Sequence, residues 1–424
     1  SLLITGACLV DNGASPRKAQ VIVVGAGPGG SSTAWHLAKL GIDVILLDRA
    51  TFPRDKVCAE YLSPQASRIL SSMGAMDEVD ASGPAHLTGM RVRAPNGCEI
   101  HGRFVARHGY REFRDRGIAV RRSILDAILV QRAQSAGAQL IERSRVTDVL
   151  RTPSGAVCGV SFIDGDSERR ELLAPLVIGS DGLRSVIGRR LGLTRVSRIP
   201  RRMAFVAHFR NVPGVTEVGE MHVERDGYVG IADVGNGLTN VALVVTARAA
   251  REAAADPNAM LDEWLAGHPH LADRFAESER IEPVRATGPF ASSTRRAWAH
   301  GAALVGDAAD FFDPFTGEGV YSALRGGELL APFAAAAAVG ESRAAARALA
   351  EYERARRAEF RGKWLVEKLI AGTVAVPALI NHAARALSRR KEMADLLVGV
   401  AGDFVPPSQV LRVGYFARLL LFGV

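Results

Sequence analysis

Val21-Ile22-Val23-Val24-Gly25-Ala26-Gly27-Pro28-Gly29-Gly30, continued by Ser31 to Leu40, Gly41, Ile42 to Leu47 and then Asp48-Arg49, is the stretch that decides the fold. Four apolar residues predict a buried strand, the glycines a tight turn, Ser31 to Leu40 a helix and Ile42 to Leu47 a second buried strand ending on an acid. Each residue type has a physical task. Gly25 permits the turn, Gly27 lets the backbone approach a pyrophosphate, and Gly30 lets the helix pack close to the strand, while the free N–H groups of the helix start face the phosphates. Asp48 stands where a carboxylate can accept hydrogen bonds from a ribose. The unit predicts a dinucleotide site on a parallel α/β sheet.

Around that unit the chain runs to 424 residues, enough for two or three domains, with 48% hydrophobic residues and mixed charge that exclude a disordered protein. Its net charge of +8 comes from scattered basic residues, nearly all arginine. No aromatic-interleaved basic stripe or helix-turn-helix pattern accompanies them, so nucleic acid is not an expected partner, whereas an anionic cofactor or membrane surface is favoured. Cys8, Cys58, Cys98 and Cys158 form no CxxC or metal spacing and predict reduced thiols, no metal site and a cytoplasmic location. The opening residues lack the positive charge of a secretory leader, and 1–18 is expected to be a lead-in.

Phe52 to Pro64 is crowded with proline and charge and predicts a loop, which could bring Cys58 over a reactive ring or merely bury its thiol. Residues 86–118 predict antiparallel strands, and Arg121-Arg122 opens an amphipathic helix. Gln139 to Val149 with Ala156 to Ile163 predict a hairpin, and Leu172 to Ile178 a buried strand that runs into Gly179-Ser180-Asp181-Gly182. An acid at a strand's carboxyl end lies where open α/β sheets bind ligands. Alternating segments over 196–290 predict an antiparallel sheet, read as the wall of a substrate pocket. Ala303-Leu-Val-Gly306-Asp307 then repeats the strand-to-acid pattern, and a Pro/Gly loop, Asp313-Pro314-Phe-Thr-Gly317-Glu-Gly319, precedes a helix whose N-terminus can support negative charge. The last hundred residues predict helices, their apolar stretches interrupted by Glu367, Lys368 and Pro377, so none is expected to span a bilayer. The tail is expected to pack on the core, with peripheral membrane contact as the alternative.

The three motifs in this order resemble the flavoprotein superfamily typified by p-hydroxybenzoate hydroxylase. The resemblance implies one tightly bound FAD and a Rossmann-like FAD-binding domain of the GR2 type, built from 19–85, 119–195 and 291–335. It also implies inserted substrate-domain strands at 86–118 and 196–290 and a helical region at 336–424. By the same resemblance Gly25, Gly27, Pro28, Gly29 and Gly30 hold the pyrophosphate, Asp48 and Arg49 the adenosine ribose, and Val146 meets adenine with its backbone. Arg122 (followed by Asp126), Asp181, Gly306 and Asp307 hold the flavin and its ribityl chain, and Pro314, Gly317, Gly319 and Val320 line the ring. Cys58, Tyr228, Gly317 and Gly319 are the implied catalytic positions. Phe52-Pro-Arg-Asp-Lys-Val-Cys58 and Pro314-Phe-Thr-Gly-Glu-Gly-Val-Tyr321 are similar to the geranylgeranyl reductase branch, which is related to flavin-dependent halogenases. That branch's aromatic-x-Trp-x-Phe-Pro element is here Tyr228-Val-Gly230-Ile-Ala-Asp233, so only its tyrosine survives. The expectation is an FAD-dependent monooxygenase that hydroxylates or epoxidises a hydrophobic polyketide, phenol or isoprenoid. Prenyl C=C reduction is the runner-up, with halogenation or a non-redox scaffold behind. No second glycine-turn unit follows, so electrons are expected from transiently bound NAD(P)H or a partner flavin reductase.

Overall fold

The computed structural model describes residues 17–106, 109–196, 201–252 and 256–421. Most of the 1–18 lead-in lies outside them, but Arg17–Lys18 already form a strand beside Arg169–Leu173.

The opening motif folds as its pattern dictates: strand β1 (Val21–Val24), helix α1 (Pro28–Lys39) and strand β2 (Val44–Leu47), with both strands fully buried. Gly27 caps α1 and Pro28 occupies its first turn, where a missing N–H costs nothing. Helix α2 (Arg122–Ser135) leads to β3 (Gln139–Ile141), and β4 (Leu176–Gly179) and β5 (Ala302–Leu304) complete five parallel strands in the order β5-β4-β1-β2-β3, with Trp298–Ala299 antiparallel at the β5 edge of the six-stranded sheet. In register, Leu304, Gly179, Val24, Leu47 and Ile141 all end at one edge. The three motifs, far apart in sequence, therefore meet because each begins where an adjacent parallel strand stops.

The predicted hairpin differs in its first arm. Gln139 to Ile141 stay in the parallel sheet, whereas Arg145–Arg151 pair antiparallel with Val157–Ile163 in a separate four-stranded sheet. The polar run Glu142-Arg143-Ser144 marks a break, but strand propensity on either side of it does not reveal that the chain changes sheet there.

The substrate-domain segments do form one sheet. Glu279–Arg280, Arg202–Arg210, Thr239–Thr246, Gly227–Asp233, Gly219–Val223, Gly89–Arg93 and Glu99–Arg103 lie in that order, with Arg285–Thr287 also on Arg202–Arg210. It is antiparallel except where Gly219–Val223 runs parallel to Gly89–Arg93, the seam at which the two segments join. Within 86–118, Gly117–Ala119 instead pair with Tyr61–Leu62 and Ala85–Leu87.

Helix α3 (Gly319–Val339) packs on α1 so closely that a Cβ on Gly327 would lie 2.7 Å from the Thr33 nitrogen. Helix α4 (Ser342–Val374) then runs from the parallel sheet, where the Tyr352 hydroxyl donates to the Leu304 carbonyl at 2.8 Å, to the substrate sheet, where the Ala371 carbonyl accepts from Arg202. It is followed at a bend of 110° by α5 (Pro377–Ser388), and then by α6 (Lys391–Ala401) and α7 (Val413–Leu421). Among the described residues no single helix is long and apolar enough to cross a membrane. Cys58 and Cys98 are free thiols, but Cys158 is disulfide-bonded, so the expectation of reduced thiols fails at Cys158; Cys8 lies outside the described residues.

Candidate active site

At the common edge of β1, β4 and β5 opens a cavity of about 1300 Å³ that continues under the substrate sheet. That exceeds the roughly 300–1,000 Å³ of an ordinary small-molecule site.

The nucleotide end is built on close backbone approach. Gly25 has φ +97°, and a Cβ there would lie 2.6 Å from the Ser180 carbonyl oxygen. At Gly27 the nearest atoms to such a Cβ are the guanidinium nitrogens of Arg122 and Arg54, each 3.7 Å away, so this glycine borders open space rather than packing. Asp48 is buried at the end of β2; its carboxylate accepts from the Ala26 N–H at 2.8 Å and the Ala50 N–H at 2.9 Å, which fixes its orientation. Arg49 and Val146 line the same end. Arg122 and Asp126 form a buried bidentate pair with both hydrogen bonds at 2.8 Å, and Arg54 reaches the same carboxylate at 3.0 Å.

At the other end, Asp307 follows β5 and faces Lys56 and Arg122. Burial raises its carboxyl above the usual range, and the two cations oppose that rise. Burial likewise lowers the Lys56 ammonium, aided by Arg122 and opposed by Asp307. Asp181 uses one oxygen to accept from the Val186 N–H at 2.6 Å, leaving the other buried without a partner. Gly306, Pro314, Gly319 and Val320 line the wall, and Gly317 sits at φ +71° with Tyr61 2.8 Å from where a Cβ would stand. Among the described residues no cluster of histidine, cysteine or acidic side chains could hold a metal ion.

These features fit FAD: glycines open toward the cleft, fixed acids stand at both ends, cations lie between them and one buried carboxylate oxygen lacks a partner. The family model described as an FAD binding domain matches residues 18–363. The chain belongs to this family of FAD-dependent oxidoreductases. Within it, the flavoprotein falls in the geranylgeranyl reductase and halogenase-like branch. It is 31% identical to digeranylgeranylglycerophospholipid reductase 2 of Methanopyrus kandleri over 91% of this chain and 93% of that one. It is 28% identical to the menaquinone reductase of Mycolicibacterium smegmatis over 92% of each. Among solved structures it is similar to the myxobacterial chondrochloren halogenase, with a TM-score of 0.76 and 26% identity over 83% of this chain and 82% of that one.

In the flavoprotein the 313–319 and Cys58 loops are held by contacts that sequence reading did not find. Tyr228 is fully committed: its hydroxyl donates to Asp313 at 2.6 Å, Arg202 pairs with the other Asp313 oxygen at 2.6 Å, and Phe315 meets the Tyr228 ring edge-on. The structure thus gives Tyr228 a positioning contact with the 313–319 loop instead of a free catalytic hydroxyl. The Cys58 loop is anchored through Glu60, which has φ +61° and accepts from the Arg122 N–H at 2.9 Å and from His208 Nε2 at 2.6 Å. His208 donates its other ring nitrogen to Glu282, and Asn240 spans the Cys58 carbonyl and Glu60. Burial opposes charge on His208, but the hydrogen bonds and charges of Glu60 and Glu282 prevail and raise its pKa. Cys58 itself lines the cavity and faces Arg122, with its sulfur accepting from the Glu60 N–H at 3.2 Å. Arg54 and Asp313 are charges beside prolines in the sequence and Lys56 follows two residues after Arg54, but nothing in the pattern says which way they point.

Proposed function

We propose that this flavoprotein saturates a carbon–carbon double bond of an isoprenoid chain. The observation that carries the reading is the cavity wall beyond the ring loop, where Ala204, Val206, Met221, Ala242, Val244 and Phe290 present small or flexible apolar surface. Gly230, at the position of the branch's tryptophan, carries no side chain into the wall; the Met221 sulfur fills that place, 3.1 Å from where a Cβ would stand. A long apolar chain fits such a surface better than a compact ring. The likeness to a digeranylgeranylglycerophospholipid reductase over nine-tenths of the chain supports the same substrate class.

When bound and reduced, FAD supplies a hydride to one alkene carbon. The protein's own part is to hold the dinucleotide through Gly27, Asp48, Arg122 and Asp307, fix the 313–319 loop through Tyr228 and Arg202, and exclude water from the alkene. Electrons reach the flavin from NAD(P)H or a separate reductase. Oxygen insertion, which the sequence placed first, now comes second, because the apolar wall and the reductase relatives favour hydrogenation.

The apolar exposure of Leu365 and Leu369 on α4, Val376, Leu379 on α5 and Val413 at the start of α7, on a protein of net charge +8, supports peripheral docking on an anionic bilayer, from which a lipid chain enters the cavity.

The test is product analysis. Reduced holoprotein mixed without oxygen with a geranylgeranyl lipid should return oxidised flavin and a lipid that has gained two hydrogen atoms. A lipid altered only in air, by gain of oxygen, would overturn the reading in favour of a monooxygenase.

A further inference from the structure

We propose that Glu367 is the acid that gives the proton to the second alkene carbon, as the half-buried, cavity-bordering member of a cluster with Glu318, Lys363 and Asp403. The proposal rests on the reductase reading above and concerns the half of the reaction that the flavin does not supply.

Lys363 is buried on α4, with Nζ 2.9 Å from Glu318 and paired also with Asp403, and it lies 4.6 Å from the Tyr321 ring centre. Glu318 sits between Gly317 and Gly319 in the ring-lining loop, so the cluster is joined directly to the flavin wall. Glu367 follows Lys363 by one helical turn on α4, on the same face. It borders the cavity together with Phe360 and Trp364.

A count of charges decides the protonation. The groups facing this region are Asp310, Asp313 and Glu318 from the loop after β5, Asp403 from beyond α6, and Glu367 itself. Against them stand Arg356 and Lys363 from α4 and Arg202 from the substrate sheet, with Lys368 over the Phe312 ring but exposed. Arg356 is paired with Asp310 and Arg202 with Asp313, which leaves one buried ammonium, Lys363, for the carboxyls of Glu318, Asp403 and Glu367. In a low-dielectric interior three such groups cannot all ionise around one cation. At least one proton is therefore held there near neutrality. Burial pushes the Glu367 carboxyl up to about 7, with Asp403, Asp313 and Asp310 acting the same way and Lys363 opposing. Glu318 and Asp403 are also raised by burial; Glu318 borders the cavity too, but both side chains are almost fully buried and pair with Lys363, whereas Glu367 is half-buried at the cavity wall.

The step balances. The alkene π bond breaks, one carbon takes hydride from reduced FAD, and the other takes the proton from the Glu367 O–H. Both electrons come from the flavin, and Glu367 is left as a carboxylate facing Lys363, to be reprotonated from solvent.

The test uses Glu367→Gln, which keeps size and neutrality but has no acidic proton, and Glu367→Asp, which keeps the acid at shorter reach. Reduced holoprotein is mixed anaerobically with a geranylgeranyl lipid. With equal FAD content, the Gln variant should reoxidise about 100-fold or more slowly than wild type and the Asp variant should recover part of the rate. Infrared spectra of the flavin-free protein give a readout independent of turnover: a protonated-carboxyl band that titrates near neutrality in wild type should be missing in the Gln variant. A Gln variant that reduces the alkene at the wild-type rate overturns the role of Glu367 alone, as does an unchanged carboxyl band. Wild type that is not reoxidised by any alkene overturns the reductase reading itself.

Discussion

One methyl group should do opposite things at Gly27 and Gly30, although the two lie in the same turn. At Gly30 an added Cβ would fall well inside contact distance of the Gly25 carbonyl oxygen and Ser180 Oγ, and 3.0 Å from the Gly25 carbonyl carbon. These are mostly backbone atoms at the end of a buried strand and cannot swing aside. The cost belongs at the upper end of overpacking, about 3 kcal/mol or more, and falls on the apoprotein. At Gly27 the backbone is extended with φ −75°, and the nearest atoms to a Cβ are 3.7 Å away. Alanine fits there without strain and reduces the freedom of the unfolded chain, so apoprotein stability should be unchanged or up by about 0.4–1 kcal/mol. The new methyl does, however, stand between the pyrophosphate and the N-terminus of α1. Losing most of that charge–dipole contact costs roughly 1–2 kcal/mol, or about 5- to 30-fold in FAD affinity. Thermal unfolding of flavin-free protein together with FAD titration separates the two effects. Gly27→Ala that binds FAD as tightly as wild type would refute the placement of the pyrophosphate, and Gly30→Ala with an unchanged apoprotein Tm would refute the packing argument.

Asp307→Ala should lose FAD on gel filtration while staying folded, because it removes the carboxylate that faces Lys56 and Arg122 at the ribityl end; a full flavin complement would exclude that role. The raised pKa of His208 contributes stability that is complete below the ordinary imidazole value of 6.5 and is lost as pH rises through the raised one. Denaturant unfolding across that window should therefore show a decline in wild type that His208→Gln flattens, and parallel profiles would remove His208 from the account. Vesicles containing anionic lipid should sediment with the protein and release it as salt rises, and Leu369→Glu with Leu379→Glu should weaken that binding without changing flavin content. Equal sedimentation of variant and wild type would place any membrane contact elsewhere.

The sequence by itself determined the cofactor end. Gly25, Gly27, Gly30 and Asp48 act through local geometry, a turn, a helix start and an acid at a strand end, and local geometry is written in adjacent residues. The strand-to-acid endings at Asp181 and Asp307 were legible for the same reason, and parallel pairing then brought them to one edge. The change of sheet between Ile141 and Arg145 was not legible, since strand propensity does not name a partner. Nor were the contacts that set the chemistry. Tyr228 with Asp313 spans 85 residues, His208 with Glu60 148, and Lys363 with Asp403 40. In sequence each of these is only a charge or a hydroxyl on an element of the expected type. Their protonation and orientation follow from burial and from the charges that other elements bring beside them, and those exist only once the tertiary structure has formed.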